Sequence, residues 1–256
     1  MSGMSTEDSG EKTRSGTAAP GRSECRGMSL DCLLAVLQLA DGLFPAGGFA
    51  HSFGLETYAQ EGHVSDREGL EAFVVAHLEG ASGPADAVAV VAAVRAAVAG
   101  DQAAWLELDG RLEAMKTVPE FRAASRQMGR QTARVAAAVA QDPLVVTLAR
   151  AIEDGLTPGH HAAVFGAALG RRGVDGEAAA TAFLYSTAAL LVGAGLRLIS
   201  LGQVDGQRVL AAVLPRVARL AATAAVTPIS EMWSFTPALE LAGLRHAGLE
   251  MRLFRS

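Results

Sequence analysis

Between Ala178 and Leu196, nineteen consecutive residues carry no charge. A stretch of that length either spans a bilayer or lies at the centre of a helical assembly. Its composition separates the two. The run is largely Ala, Thr, Ser and Gly, includes Tyr185, and holds only four Leu and one Val. Such residues contribute little to membrane insertion, and one span with acidic flanks is a poor anchor. A central helix, buried on all sides by its neighbours, is the reading adopted, with no membrane role. Its small residues Ala188, Ala189, Gly193 and Gly195 would let other helices approach closely.

The rest of the chain agrees with a helical setting. Half of the residues are apolar and only 5% are aromatic, so the core must be built mainly from Ala, Val and Leu. Ala and Leu lead the helix-propensity scale. From Leu30 onward no run alternates with the period of a strand. Helices are expected over 30–39, 51–61, from Ser65, from Pro84 to 98, and over 103–115, 120–141, 144–154, 160–171, 176–200, 206–225 and 237–250. Ser65 and Glu68 have capping-box spacing. Pro84 suits a helix N-terminus. On the long 120–141 helix, Phe121, Ala124, Met128, Val135 and Val139 mark the apolar face. The expected architecture is all-α: a single-domain bundle of roughly ten helices around the central apolar one, over 28–256. Residues 1–27, rich in Ser, Gly, Thr and mixed charge, read as a disordered tail.

Several function classes are excluded at this level. A formal net charge of −5 argues against broad nucleic-acid binding. Lys12 and Lys116 are the only lysines, and neither sits in a Walker A frame, so the chain is not a P-loop nucleotidase. Cys25 and Cys32 make no disulfide framework, and no secretory signal precedes them, so the cytoplasm is the expected location. No histidine pair has the spacing of a zinc helix, and neither a metal site nor a cofactor is expected. His51, beside a glycine-rich loop, is the candidate for an ion shared at a subunit interface. There is no Gly-x-Ser-x-Gly elbow. Ser52 and Glu56, at i and i+4, read as a helix start that caps itself and exposes one acid.

The remaining special residues suit docking better than catalysis. Arg122, Arg126, Arg130 and Arg134 form a basic ridge with no carboxylate at the neighbouring i±4 positions, which leaves interhelical or interchain pairing and plain solvation both open. Gln203, Asp205 and Gln207 lie in a polar break, with Asp205 a natural N-cap. The ending Met251-Arg252-Leu253-Phe254-Arg255 would expose Phe254 and two guanidinium forks of the type that dominates protein–protein contacts. In the isolated chain this end is expected to be disordered.

Read together, ordered blocks of this sequence resemble the UreF family of urease accessory proteins, from about Leu33 to Ser256. The blocks are Phe44–Glu56, Arg126-Gln127-Met128-Gly129-Arg130, Gly159-His160 with Phe165-Gly166, and Leu184-Tyr185-Ser186. Arg197-Leu198, Leu201-Gly202-Gln203, Asp205-Gly206-Gln207 and the Arg245-His246 to Ser256 ending complete the series. Departures are His161-Ala162 where Tyr-Pro often stands, Thr181 where relatives can carry arginine, and Ala247 where Glu often follows the histidine. The resemblance implies an all-α, dimer-forming, non-enzymatic chaperone that binds UreD (also called UreH), recruits the GTPase UreG and serves nickel delivery to apo-urease. It puts docking roles on Phe49, Tyr185 and Arg252, with the C-terminal segment ordering when UreD binds. The partner-binding set is therefore Phe49, His51, Ser52, Glu56, Arg126, Arg130, Tyr185, Gln203, Asp205, Gln207, Arg252 and Phe254. An alternative is a GTPase-activating protein for UreG, with Arg126, Arg130 or Arg252 as arginine finger.

Overall fold

Short polar caps and prolines set the boundaries of the helices. The computed structural model describes Met1 and residues 28–256, and the expected disordered tail over 1–27 lies outside them apart from Met1. In chain order the helices are α1 (Leu30–Ala40), α2 (Leu55–Gln60), α3 (Arg67–His77), α4 (Val88–Ala99), α5 (Gln102–Met115) and α6 (Pro119–Ala140). They continue with α7 (Pro143–Glu153), α8 (His161–Gly170), α9 (Gly176–Leu198), α10 (Gln203–Val226) and α11 (Pro237–His246). No strand occurs among the described residues. The fold is all-α.

Asp101, Asp142 and Asp175 cap α5, α7 and α9 by accepting backbone N–H bonds, and Pro119, Pro143 and Pro237 take the first helical positions. The cap of α3 is Asp66, whose Oδ1 accepts from the Gly69 amide at 2.8 Å, and not Ser65. Either residue fits the local pattern; the aspartate is the one whose side chain reaches.

Pro84 does not begin a helix. It lies inside a π-helical stretch, Leu78–Ala87, which joins α3 and α4 into one rod over Arg67–Ala99. Proline has no N–H to give to the hydrogen-bond ladder of this stretch. The segment before α11 lies against it and serves two of its carbonyls: the Phe235 N–H donates to the Gly80 carbonyl at 2.8 Å, and the Trp233 N–H to the Pro84 carbonyl at 3.3 Å. Two carbonyls of the irregular stretch thus take their donors from backbone about 150 positions along the chain.

Two apolar clusters make the core. One gathers Trp105, Leu112, Leu148, Phe165 and Leu169 from α5, α7 and α8; the other gathers Leu70, Phe73, Val213 and Leu220 from α3 and α10. The uncharged helix α9 feeds both, with Phe183 in the first and Leu184 and Leu191 in the second. It is not buried on all sides, however, since Tyr185 and Gly193 are exposed on its outer face. Arg67–Ala99, Gly176–Leu198 and Gln203–Val226 are each long and apolar enough to cross a membrane, yet here they bury much of that surface against one another.

The buried face of α6 is made of smaller residues than the sequence suggests: Ala124, Ser125, Met128, Gly129, Thr132, Ala133 and Ala136. Val139 is exposed in the last turn. A Cβ at Gly129 would collide with the Gly159 carbonyl, so this glycine sets how closely α6 meets the loop before α8.

Candidate docking site

The loop before α2 turns on two residues in the left-handed region, Phe53 (φ 51°) and Gly54 (φ 89°). That turn points consecutive amides in one direction, a geometry suited to an oxygen acceptor. The acceptor is the end of the chain. The Ser52 and Phe53 N–H groups donate to the Ser256 backbone oxygen at 2.5 and 3.1 Å, and the Ser52 hydroxyl donates to it at 2.7 Å. His51 Nδ1 is hydrogen-bonded to the Ser256 hydroxyl at 2.9 Å, and the Arg255 N–H donates to the Ala50 carbonyl at 2.8 Å.

Glu56 holds the same segment one turn on. Its carboxylate accepts the Leu253 N–H at 2.6 Å and the Phe254 N–H at 3.0 Å, and meets His246 Nε2 at 2.9 Å. The other nitrogen of His246 faces Glu120 at 2.7 Å, and Glu120 also accepts from Arg252 at 3.2 Å. An imidazole with a carboxylate at each nitrogen can donate to both only as imidazolium.

These contacts correct four expectations. The terminal segment is ordered, Phe254 is buried at 3% exposure, and Glu56 is buried at 1% rather than presented to solvent. The helix begins at Leu55 rather than at residue 51. A buried carboxylate must be met by donors, and the terminal backbone brings them.

Phe49 stays exposed, at 76%. Arg197, from the last turn of α9, lies over its ring at 3.7 Å and over that of Phe254 at 4.1 Å. Arg197 also donates to the Phe49 carbonyl at 2.7 Å. His51 is buried, its Nε2 has no hydrogen-bond partner, and its pKa is pushed down to about 4 by burial and then by the charge of Arg255. Among the described residues no group of three or more His, Cys, Asp or Glu is placed to hold a metal ion.

The basic ridge divides in two. Arg126 forks onto Glu113 of α5, and Arg122 reaches the same carboxylate at 3.8 Å. Arg130 and Arg134 are exposed and have no ion pair among the described residues. Glu113 also meets His160 Nε2 at 2.9 Å, while His160 Nδ1 meets the Ser125 hydroxyl at 3.0 Å. Burial, then the Lys116 charge, lowers the pKa of His160 against the raising effect of Asp109 and Glu113.

Burial alone would raise the pKa of Glu113, but Arg126 and His160 hold it below its ordinary value. Ser125, His160 and Glu113 have the connectivity of a hydrolytic triad. The nearby Gly159 and His160 amides are already committed to Asp109, at 2.7 Å each, rather than poised for an oxyanion.

Tyr185 is exposed on α9, and α1, which packs beside it, exposes Leu30, Leu34 and Leu37. Gln203, Asp205 and Gln207 stand apart from the terminal segment's network, on the first turns of α10. Gly202 takes the N-cap position, and Asp205, one turn in, pairs with Arg208 at 3.0 Å. The network's own keystones, Arg197, Glu120, His246 and Ser256, were not among the sequence-derived docking residues. Arg197 and His246 stood in family-like blocks, but their roles need partners far along the chain.

A cavity of about 100 Å³ lies between the two apolar clusters, lined by Phe53, His77, Phe121, His161 and Phe183 and by the Asp86–Lys116 ion pair at 2.8 Å. Burial pushes the pKa of His77 and of His161 down to about 4.

A family model described as UreF matches residues 64–214, more than half of the chain. The chain is 32% identical over 224 residues to the urease accessory protein UreF of Bacillus sp. (strain TB-90), covering 88% of this chain and 99% of that protein. It is 32% identical to the urease accessory protein UreF of Trichodesmium erythraeum (strain IMS101), covering 86% and 95%. To the urease accessory protein UreF 2 of Brucella canis it is 33% identical, covering 88% and 93%.

Proposed function

The chain belongs to the UreF family of urease accessory proteins, and from that membership we propose that it is a non-enzymatic scaffold of urease maturation. In this reading it binds UreD (UreH), recruits the GTPase UreG, and thereby serves nickel delivery to apo-urease in the cytoplasm. The observation that carries the reading is the terminal segment docked into the 50–56 loop. Ser52 and Glu56 hold its backbone there, and Phe49, Met251, Arg252 and Leu253 are left facing outward. Aromatic and arginine side chains on a pre-ordered frame suit a binding surface.

Homodimerisation is assigned to the outer face of α9 with α1. Tyr185 and the exposed leucines of α1 form an apolar face of the kind that marks an interaction site. Tyr185→Arg together with Leu34→Arg is expected to shift the chain to monomer in size-exclusion chromatography with light scattering. A dimer unaffected by both changes assigns the face to something else.

The central test is urease activation in cells. Arg252→Ala and Phe49→Ala should each lower activation, and tagged wild-type protein should co-purify with UreD and UreG. Normal activation in both variants would sink the docking assignment. For the GTPase-activating alternative, Arg126 is committed to Glu113 and Arg252 to Glu120, leaving Arg130 as the unpaired candidate among the described residues. UreG turnover measured with this protein plus UreD decides it: an arginine finger accelerates hydrolysis by orders of magnitude, roughly 10³-fold or more.

A further inference from the structure

Phe49 and Phe254 belong to segments more than two hundred residues apart, yet one guanidinium lies over both rings, at 3.7 and 4.1 Å. Arg197 is itself fixed, donating to the Gly193 carbonyl of its own helix at 3.3 Å and to the Phe49 carbonyl at 2.7 Å. We propose that Arg197 is a positioning residue that makes the exposed Phe49 surface and the docked terminal segment one thermodynamic unit. A partner that draws residues 253–256 off the loop removes one ring from the guanidinium, and so loosens the other. A partner that clamps Phe49 holds the terminal segment down. Coupling between sites is reciprocal, so the same factor must appear from either side. The geometry stands by itself; its bearing on assembly rests on the reading of these surfaces as docking sites.

A second route joins the same segments, because the Arg255 N–H donates to the Ala50 carbonyl. A double-mutant cycle separates the two routes. In the full-length protein under native conditions, trypsin cleavage after Arg252 reports opening of the segment, since the Leu253 amide is otherwise held by Glu56. Phe49→Ala removes the ring and leaves the backbone contacts. It is expected to speed that cleavage about three-fold in the wild-type background, the size of one partly exposed cation–π contact, and to have no effect when Arg197 is Met. Equal acceleration in both backgrounds, or none in the wild type, overturns the proposal.

Should Arg197→Met lose helical content, the ring series at Phe49 decides in its place. Phe49→Tyr should keep the wild-type rate, while Phe49→Leu should match Phe49→Ala. A Tyr variant as fast as the Ala variant also overturns it. The readout needs no urease component, so a failed cycle leaves the scaffold reading intact, and normal urease activation in Phe49→Ala leaves the coupling intact.

Discussion

Two histidine–carboxylate nodes organise this molecule, and they differ in what surrounds them. In the first, Asp109, Glu113, Ser125 and His160 join α5, α6 and the start of α8 beside the Trp105–Phe165 cluster. In the second, Glu56, Glu120 and His246 hold a terminal segment whose buried apolar side chain is Phe254, with Met251 and Leu253 outside. Both satisfy their buried polar groups. The first ties α5 and α6 to the start of α8 and the loop before it; the second is closed by a terminal strap. Polar satisfaction makes a contact specific; apolar backing makes it permanent.

The comparison can be broken most forcefully at Asp109. It accepts from the Thr157 hydroxyl and from the Gly159 and His160 amides while fully buried. Asp109→Ala should cost about 3–5 kcal/mol of global stability, read as a lowered denaturant midpoint. A change confined to local exchange would show this node to be as detachable as the other.

Acid should act on both regions, with a known sign. His51, His77 and His161 have folded-state pKa values of about 4 against an ordinary 6.5, so the unfolded chain binds more protons between those limits. Stability is fully present above about pH 6.5 and falls as pH drops towards 4, by on the order of 1–2 kcal/mol per histidine at pH 5. Melting curves at pH 7.5 and 5 test this, and His51→Asn should remove part of the slope. An unchanged melting temperature would contradict it.

Glu56→Gln should release the strap while the helices stay folded. Tryptic cleavage after Arg252 is expected to rise about ten-fold, with little change in the global midpoint. Loss of global stability instead would place the second node in the core. The smallest stability effect belongs to Phe49→Ala, within about 0.5 kcal/mol. The same substitution should lower urease activation, so function and stability should separate at this residue.

Most helices could be read from spacing because their caps are local: Asp101, Asp142 and Asp175 lie three residues from the amides they serve or closer. Phe49 and Tyr185 are exposed. What could not be read rests on contacts with no local trace. Glu56 looked like a surface acid because its donors, Leu253 and Phe254, lie almost two hundred positions away. Arg122 and Arg126 found their acid on the preceding helix, outside any i±4 frame, while Arg130 and Arg134 remain without an ion pair among the described residues. Ser65 lost the α3 cap to its neighbour because both satisfy the pattern and only geometry chooses.

The proline at position 84 has an effect on where this protein can be cut. Two carbonyls of the rod it interrupts accept from amides at 233 and 235, whereas the region matched by the family model stops at residue 214. A fragment trimmed to that match would retain the interrupted helix and discard the donors that serve its Gly80 and Pro84 carbonyls. The span matched by the family model is therefore shorter than the span that supplies those donors.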